Sequence, residues 1–133
     1  MAATILVADD SVTMRLIVES TLAEAGWRVL SAADGGQALD IVSTERVDLL
    51  VTDWHMAPLS GQDLVWALRA RPATAQLPVI VLSTEDADAW REVASEFELA
   101  AWLQKPLDPV LLIEQVRRAL SSQPFSDNEA ARP

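Results

Sequence analysis

Three carboxylates, a hydroxyl pair and one ammonium stand at comparable points along this sequence. Asp9 and Asp10 follow the apolar run Thr4–Ala8, Asp53 follows Val47–Thr52, Ser83 and Thr84 follow Pro78–Leu82, and Lys105 lies just beyond Ala101–Leu103. Singly, each has an ordinary explanation. Asp-Asp-Ser is an N-cap signature, an Asp after a strand is a common turn residue, and a lone Lys-Pro says nothing. Together they pose an electrostatic problem, because clustered like charges raise one another's free energy unless a counter-charge is present. A hard dication answers it: Mg²⁺ takes oxygen ligands in near-octahedral geometry, a few from carboxylates and the rest from water. Lys105 can pair with an anion, and Ser83 can donate a hydrogen bond to it. Carboxylate, metal and ammonium make a phosphoryl-transfer site, in which the cations neutralise the equatorial oxygens while the carboxylate attacks in line. Asp53 is the best nucleophile because it stands alone on its strand; Asp9 and Asp10 share theirs and read as metal holders.

Convergence of these groups requires a fold that gathers strand ends. Five short apolar runs (the four above and Trp27–Ala32) alternate with five amphipathic stretches. Ile5-Leu6-Val7, Leu49-Leu50-Val51 and Val79-Ile80-Val81-Leu82 are continuously apolar, as strands covered on both faces should be. The mixed second run suits an edge. Met14, Ile17, Val18, Thr21, Leu22 and Ala25 recur at three- and four-residue steps, which predicts a helix over Ser11–Ala25, with Gly26 where a left-handed cap is wanted. Ala38, Leu39 and Val42 pattern a helix over residues 35–45, and Leu64, Ala67 and Leu68 one that ends near Pro72. Trp90, Val93, Ala94 and Phe97 pattern residues 85–97; Leu112, Ile113, Val116 and Leu120 pattern the last helix. Strands alternating with helices predict an α/β fold with parallel pairing and right-handed crossovers. In such a doubly wound sheet, ligands bind at the carboxyl ends of strands, where strand order reverses.

The chain has 133 residues, half of them hydrophobic, which suits one domain with a real core. Its net charge of −10 repels a polyanion, and no local cluster of Lys and Arg offsets it, so nucleic-acid binding is not expected. The absence of cysteine removes disulfides and thiolate metal sites. The start Met-Ala-Ala-Thr-Ile-Leu-Val has no basic leader, and no apolar run approaches the ~20 residues of a membrane helix. A cytoplasmic protein without membrane attachment is the expectation.

In their order and spacing these residues closely resemble the receiver domains of two-component response regulators. The resemblance covers residues 4–121 and is carried by Asp9-Asp10-Ser11-Val12-Thr13-Met14-Arg15, Ala33-Asp34-Gly35-Gly36-Gln37-Ala38-Leu39, Asp53-Trp54-His55-Met56, Gly61, Ser83-Thr84-Glu85 and Lys105-Pro106. Trp54 after the nucleophile makes the chain most similar to the single-domain chemotaxis-type regulators. The resemblance implies a flavodoxin-like, doubly wound fold: a five-stranded parallel sheet of order 2-1-3-4-5 flanked by five helices. It implies Asp53 as phosphoacceptor and Mg²⁺ held by Asp10, Asp53 and the backbone carbonyl of His55, with Asp9 acting through water. Ser83 would bind a phosphoryl oxygen, Lys105 would be its ion partner, and a cis bond would precede Pro106. Ser83 and Trp102 would form the switch, with Trp102 at least partly exposed before phosphorylation. Three positions depart from the family: Ala57 stands where proline is usual (Pro58 follows), Glu98 where a glycine usually turns the fourth helix into the fifth strand, and Trp102 where Tyr or Phe is commoner.

The implied protein autocatalyses its own phosphorylation and dephosphorylation and is not a turnover enzyme on an external substrate. Its partners would be a sensor histidine kinase or phosphotransfer protein and an effector at the face of the fourth helix, fifth strand and fifth helix. It would be a monomer or a phosphorylation-dependent dimer. Glu85, Asp86, Asp88, Glu92, Glu96 and Glu98 oppose Arg91 alone there, which is either a solvated face or a dock for a basic effector. Two other readings stay open. One is a pseudo-receiver that binds partners without phosphorylation, hinted at by Ala57. The other, a phosphatase of the haloacid-dehalogenase kind, would want an Asp where His55 stands. His55, the sole histidine, reads as a solvent-facing loop residue that tunes water access. Trp27, Trp66 and Trp90 read as core or rim packing, whereas Trp54 belongs near the site. Residues 1–122 are the expected receiver domain, and the polar residues 123–133 an expected disordered tail.

Overall fold

Alternate residues of each central strand point to opposite sides of one sheet, and both sides are covered. The computed structural model describes residues 2–86, 88 and 91–121. In chain order these form β1 (Thr4–Ala8), α1 (Val12–Glu24), β2 (Arg28–Ala32), α2 (Gly35–Thr44), β3 (Leu49–Asp53), α3 (Gly61–Arg69), β4 (Val79–Ser83), α4 (Arg91–Glu96), β5 (Ala101–Gln104) and α5 (Pro109–Ser121). All four strand pairings are parallel, in the order β2-β1-β3-β4-β5. Ile5, Val7, Leu49, Val51, Ile80 and Leu82 pack with Val18 and Leu22 of α1 and Leu112 and Val116 of α5. Leu6, Leu50, Val79 and Val81 pack on the other side with Ala38, Leu64, Val65, Leu68 and Phe97. Each fully buried Leu, Ile or Val contributes about 1.5–3 kcal/mol, so the continuously apolar strands are what hold the two helical layers on.

The helices start where local chemistry lets them. Ser11, Asp34 and Ser60 each accept a hydrogen bond from the backbone three residues on, the N–H groups of Met14, Gln37 and Asp63. Gln37 returns the favour through its Oε1, which accepts from the Ala33 N–H. Two helices end in the same motif. Gly26, at φ +106°, closes α1 through Gly26 N–H to Ala23 and Trp27 N–H to Leu22. Glu98, at φ +55°, closes α4 through Glu98 N–H to Ser95 and Leu99 N–H to Ala94. These are Schellman caps, whose left-handed residue is ordinarily glycine; Glu98 adopts the conformation without glycine's freedom. Arg69 fastens this turn from below. Its guanidinium donates to the carbonyls of Phe97 and Leu77 at 2.9 and 2.8 Å, with longer contacts to Thr74 and Glu98. Burial lowers the Arg69 pKa from its ordinary value, and the Glu98 charge opposes that shift.

Several boundaries differ from those the sequence predicts. Asp53 and Ser83 close β3 and β4 from within instead of following them. The fourth helix as described spans Arg91–Glu96, with Glu85 and Asp86 outside it. There the Oγ of Ser83 accepts the Glu85 N–H, a local turn that competes with helix, and a carboxylate oxygen of Asp86 accepts the Asp88 N–H. Of core or rim, Trp66 takes the rim: it is 64% exposed and meets Phe97 edge-to-face. It lies between Leu64 and Leu68 on the helix, on the face opposite theirs. Trp27 is half-buried beneath Arg117. Trp90 and the expected tail lie outside the described residues. Among the described residues, no helix is long and apolar enough to cross a membrane.

Candidate functional site

The reversal of strand order between β1 and β3 brings the end of one against the end of the other. Asp9, Asp10 and Asp53 meet there, and each offers a carboxylate oxygen within 4.8 Å of the others. Asp9 and Asp53 are buried and Asp10 is exposed, so the cluster opens toward solvent on one side. Lys105 comes from the end of β5, with its Nζ 3.3 Å from Asp53 Oδ1 and 3.9 Å from Asp9 Oδ2. Its backbone N–H donates to the Ser83 carbonyl at 2.7 Å, tying the ends of β4 and β5 together. The Lys105–Pro106 bond is cis, as is Ala57–Pro58, and Pro106 is exposed.

Asp9 is the most constrained of the three acids. Its Oδ1 accepts the Ser11 N–H at 2.9 Å, whereas its buried Oδ2 has no hydrogen-bond partner. The pKa of Asp9 is raised, first by burial and then by the charges of Asp53 and Asp10; the Ser11 hydrogen bond and Lys105 oppose this. Three carboxylates thus share a single ammonium around a buried oxygen lacking a donor. A hard, oxygen-seeking dication fits such a donor set. Arg15, which the sequence reading left without a role, donates to the Asp9 carbonyl at 2.7 Å and anchors the β1–α1 loop beneath the acids.

The loop after Asp53 is folded tightly back. Gly61 N–H donates to the Trp54 carbonyl at 2.9 Å, and a Cβ on Gly61 would strike the Asp53 carbonyl oxygen and the Trp54 Cα. A close backbone approach, not a turn, makes glycine necessary here. Trp54 is 2% exposed and meets Trp102, itself half-buried, edge-on. Trp102 Nε1 donates to the Glu85 carbonyl at 3.0 Å. Ser83 is fully buried, and its Oγ accepts the Glu85 N–H at 3.0 Å. Thr84 is exposed, with its carbonyl accepting from Gln104 at 3.4 Å. His55 faces solvent, but its ring is engaged: Nε2 lies 2.8 Å from Glu85 Oε2. That contact joins two exposed loop residues far apart in sequence, and no local pattern signals it.

Comparison with known proteins places these features in company. Residues 5–117 match the family model described as the response regulator receiver domain. The chain is 35% identical over 120 residues to a chemotaxis protein CheY homolog of Campylobacter jejuni, covering 89% of this chain and 92% of that one. It is 32% identical over 115 residues to the chemotaxis protein CheY of Pseudomonas aeruginosa, covering 86% and 93%. The fold superposes on the chemotaxis response regulator CheY4 of Vibrio cholerae with a TM-score of 0.84 at 32% identity, covering 90% of this chain and all of that one. It also matches the receiver domain of a sensor histidine kinase from Pseudomonas aeruginosa, described with a magnesium ion coordinated in its active site cleft. There the TM-score is 0.83 at 25% identity, with 92% and 100% coverage.

Proposed function

Because this chain belongs to the response regulator receiver domain family, whose members are phosphoacceptors of two-component signalling, we propose that it takes a phosphoryl group onto Asp53 from a phosphohistidine. The donor is a sensor histidine kinase or phosphotransfer protein. An oxygen of Asp53 forms the new bond to phosphorus as the bond to the donor's imidazole nitrogen breaks. Water later attacks the phosphorus, releasing phosphate and restoring the carboxylate. The observation that carries this reading is the Lys105 ammonium 3.3 Å from Asp53 Oδ1, within a trio of acids that needs more positive charge than one lysine supplies.

Mg²⁺ is the proposed cofactor, held by Asp10, Asp53 and the His55 backbone carbonyl, with Asp9 through water. When bound it supplies positive charge against the phosphoryl oxygens. Lys105 neutralises a further oxygen, and the buried Ser83 hydroxyl donates to another. The phosphoryl group brings roughly two negative charges and three acceptor oxygens. Its call on Ser83 competes with the hydrogen bond from Glu85 N–H, and Glu85 in turn holds Trp102 through its carbonyl. Ser83 and Trp102 are therefore the proposed switch. The exposed acids Asp86, Asp88, Glu92, Glu96 and Glu98 around α4 favour a basic effector.

The test is modification by phosphoramidate or acetyl phosphate with Mg²⁺. Intact-mass spectrometry should show one phosphoryl addition, labile to hydroxylamine and absent without the metal. Equal yield from Asp53→Asn would remove Asp53 as acceptor. Equal yield with a chelator present would remove the metal.

A further inference from the structure

Asp9 is tied down through its backbone as well as its side chain. Its N–H donates to the Ala32 carbonyl at 3.2 Å, its Oδ1 accepts the Ser11 N–H at 2.9 Å, and its carbonyl accepts from Arg15 Nη1 at 2.7 Å. The last of these is short and charge-assisted. Helix chemistry gives no reason for an arginine at this place. Arg15 stands at the opening turn of α1, where the helix dipole disfavours a cation and no acid of that turn offsets it. Its pair with Glu19, at 3.9 Å, runs acid after base, the weaker of the two orders along a helix. Nor does the guanidinium neutralise the acids: it bonds the uncharged Asp9 carbonyl, while Asp9 Oδ2 has no hydrogen-bond partner. That carbonyl belongs to the planar Asp9–Asp10 peptide. Holding its oxygen holds the plane, and with it the Cα of Asp10. Asp10 is exposed, so its direction comes from the backbone and not from packing.

We propose that Arg15 is a positioning residue for the divalent cation: by holding the Asp9–Asp10 peptide, it aims the Asp10 carboxylate into the site before the metal arrives. The proposal rests on the metal reading above and deepens it. Arg15 touches neither the metal nor the phosphoryl group. It acts through the backbone, reducing the ordering that the β1–α1 loop would otherwise undergo on binding. Its charge works the other way, because a cation near the site repels a dication. The two consequences of losing Arg15 therefore differ in sign. Loss of position weakens Mg²⁺ binding, whereas loss of charge alone tightens it.

The test titrates Mg²⁺ through intrinsic tryptophan fluorescence in wild type, Arg15→Met, Arg15→Gln and Glu19→Gln, with urea unfolding beside it. Methionine removes the donors and keeps an apolar stem; Arg15→Gln, shorter and polar, carries the same expectation should Arg15→Met not fold. Either Arg15 variant should raise the Mg²⁺ Kd by about tenfold, the low end of the cost of losing a ligand's supporting contact. Phosphorylation of Asp53 by phosphoramidate should need correspondingly more Mg²⁺ and reach the wild-type maximum once the metal saturates. Glu19→Gln should match wild type in both measurements. Tighter or unchanged Mg²⁺ binding by folded Arg15 variants would overturn the proposal, as would a lowered maximal rate with an unchanged Mg²⁺ requirement. Binding by Glu19→Gln as weak as that by Arg15→Met would assign the effect to charge along α1 and overturn it too. A wild type that binds no Mg²⁺ overturns the metal reading as well, whereas one that binds it, with the Arg15 variants alike, overturns the positioning role alone.

Discussion

The ring of Trp102 stands edge-on to that of Trp54, centroids 5.2 Å apart and planes at 62°. Trp54 follows Asp53 in the chain, so the proposed acceptor and the proposed output residue are linked by one peptide bond and one ring contact. The Trp102 indole N–H also holds the Glu85 carbonyl. Trp102→Phe should keep the ring contact and lose that hydrogen bond, at a cost of about 0.5–1.5 kcal/mol in urea unfolding. Amide exchange should then quicken at Glu85 and Asp86 before anywhere in the sheet.

Ser83→Ala should still accept phosphate on Asp53. It should lose most of the phosphorylation-driven change in acrylamide quenching of Trp102, read with the other tryptophans replaced by Phe. A full wild-type change would exclude Ser83 as the link.

The raised pKa of Asp9 makes stability depend on pH in a stated direction. Below the ordinary value of 3.8, Asp9 is protonated in folded and unfolded chains alike. As pH rises, the unfolded chain loses this proton first, so the native state binds more protons and stability falls until the raised native pKa is passed. In metal-free buffer at neutral pH, Asp9→Asn should therefore be more stable than wild type. The gain should be on the order of 1–3 kcal/mol, the cost of a buried polar atom without a partner. Mg²⁺ should raise the wild-type melting temperature and leave that of Asp9→Asn less changed. Thermal melts from pH 3 to 7 (about the carboxylate range), with and without the metal, read both effects.

A methyl group at Gly61 would sit 2.8 Å from the Trp54 Cα, inside any real contact distance. Gly61→Ala should cost about 1–3 kcal/mol, as overpacking does. Because the obstructing backbone is that of Asp53 and Trp54, phosphorylation by phosphoramidate should slow as well. A variant as stable and as reactive as wild type would mean that the loop moves aside freely.

Glu98→Gly should stabilise the protein by about 0.5–1 kcal/mol, since glycine accepts the left-handed cap without the steric cost borne by other residues. Glu98→Ala should show no such gain. Urea midpoints of the two variants decide the matter, and the Arg69 contact to the backbone carbonyl is common to both.

What could be read from the sequence was what repeats along it. The apolar runs with acids, hydroxyls and lysine at their ends gave the strands, and the parallel sheet then places Asp9, Asp10, Asp53 and Lys105 together. The sheet order came from resemblance, not from periodicity. Core and rim were not separated for Trp66; its phase against Leu64 and Leu68 points outward, and it lies at the rim against Phe97. Glu85 and Asp86, at the start of the stretch expected as the fourth helix, lie outside it because the Glu85 N–H is bonded to the Ser83 side chain. The His55–Glu85 contact and the hold of Arg69 on distant carbonyls had no local signature, since both are made by loops that meet only once the sheet is closed.

None of the six residues of α4 is fully buried, while its last turn is fastened by Phe97 and by Arg69. Substitutions on such a surface usually change stability by less than about 0.5 kcal/mol. The outer face of α4 can therefore be rewritten with little consequence for the sheet or for the acids at its edge. With the proposed dock on α4 and the proposed chemistry at the acids, recognition and reaction would occupy separate parts of the chain, so a lineage carrying this domain could change whom it addresses while the reaction that prompts the message stayed as it was.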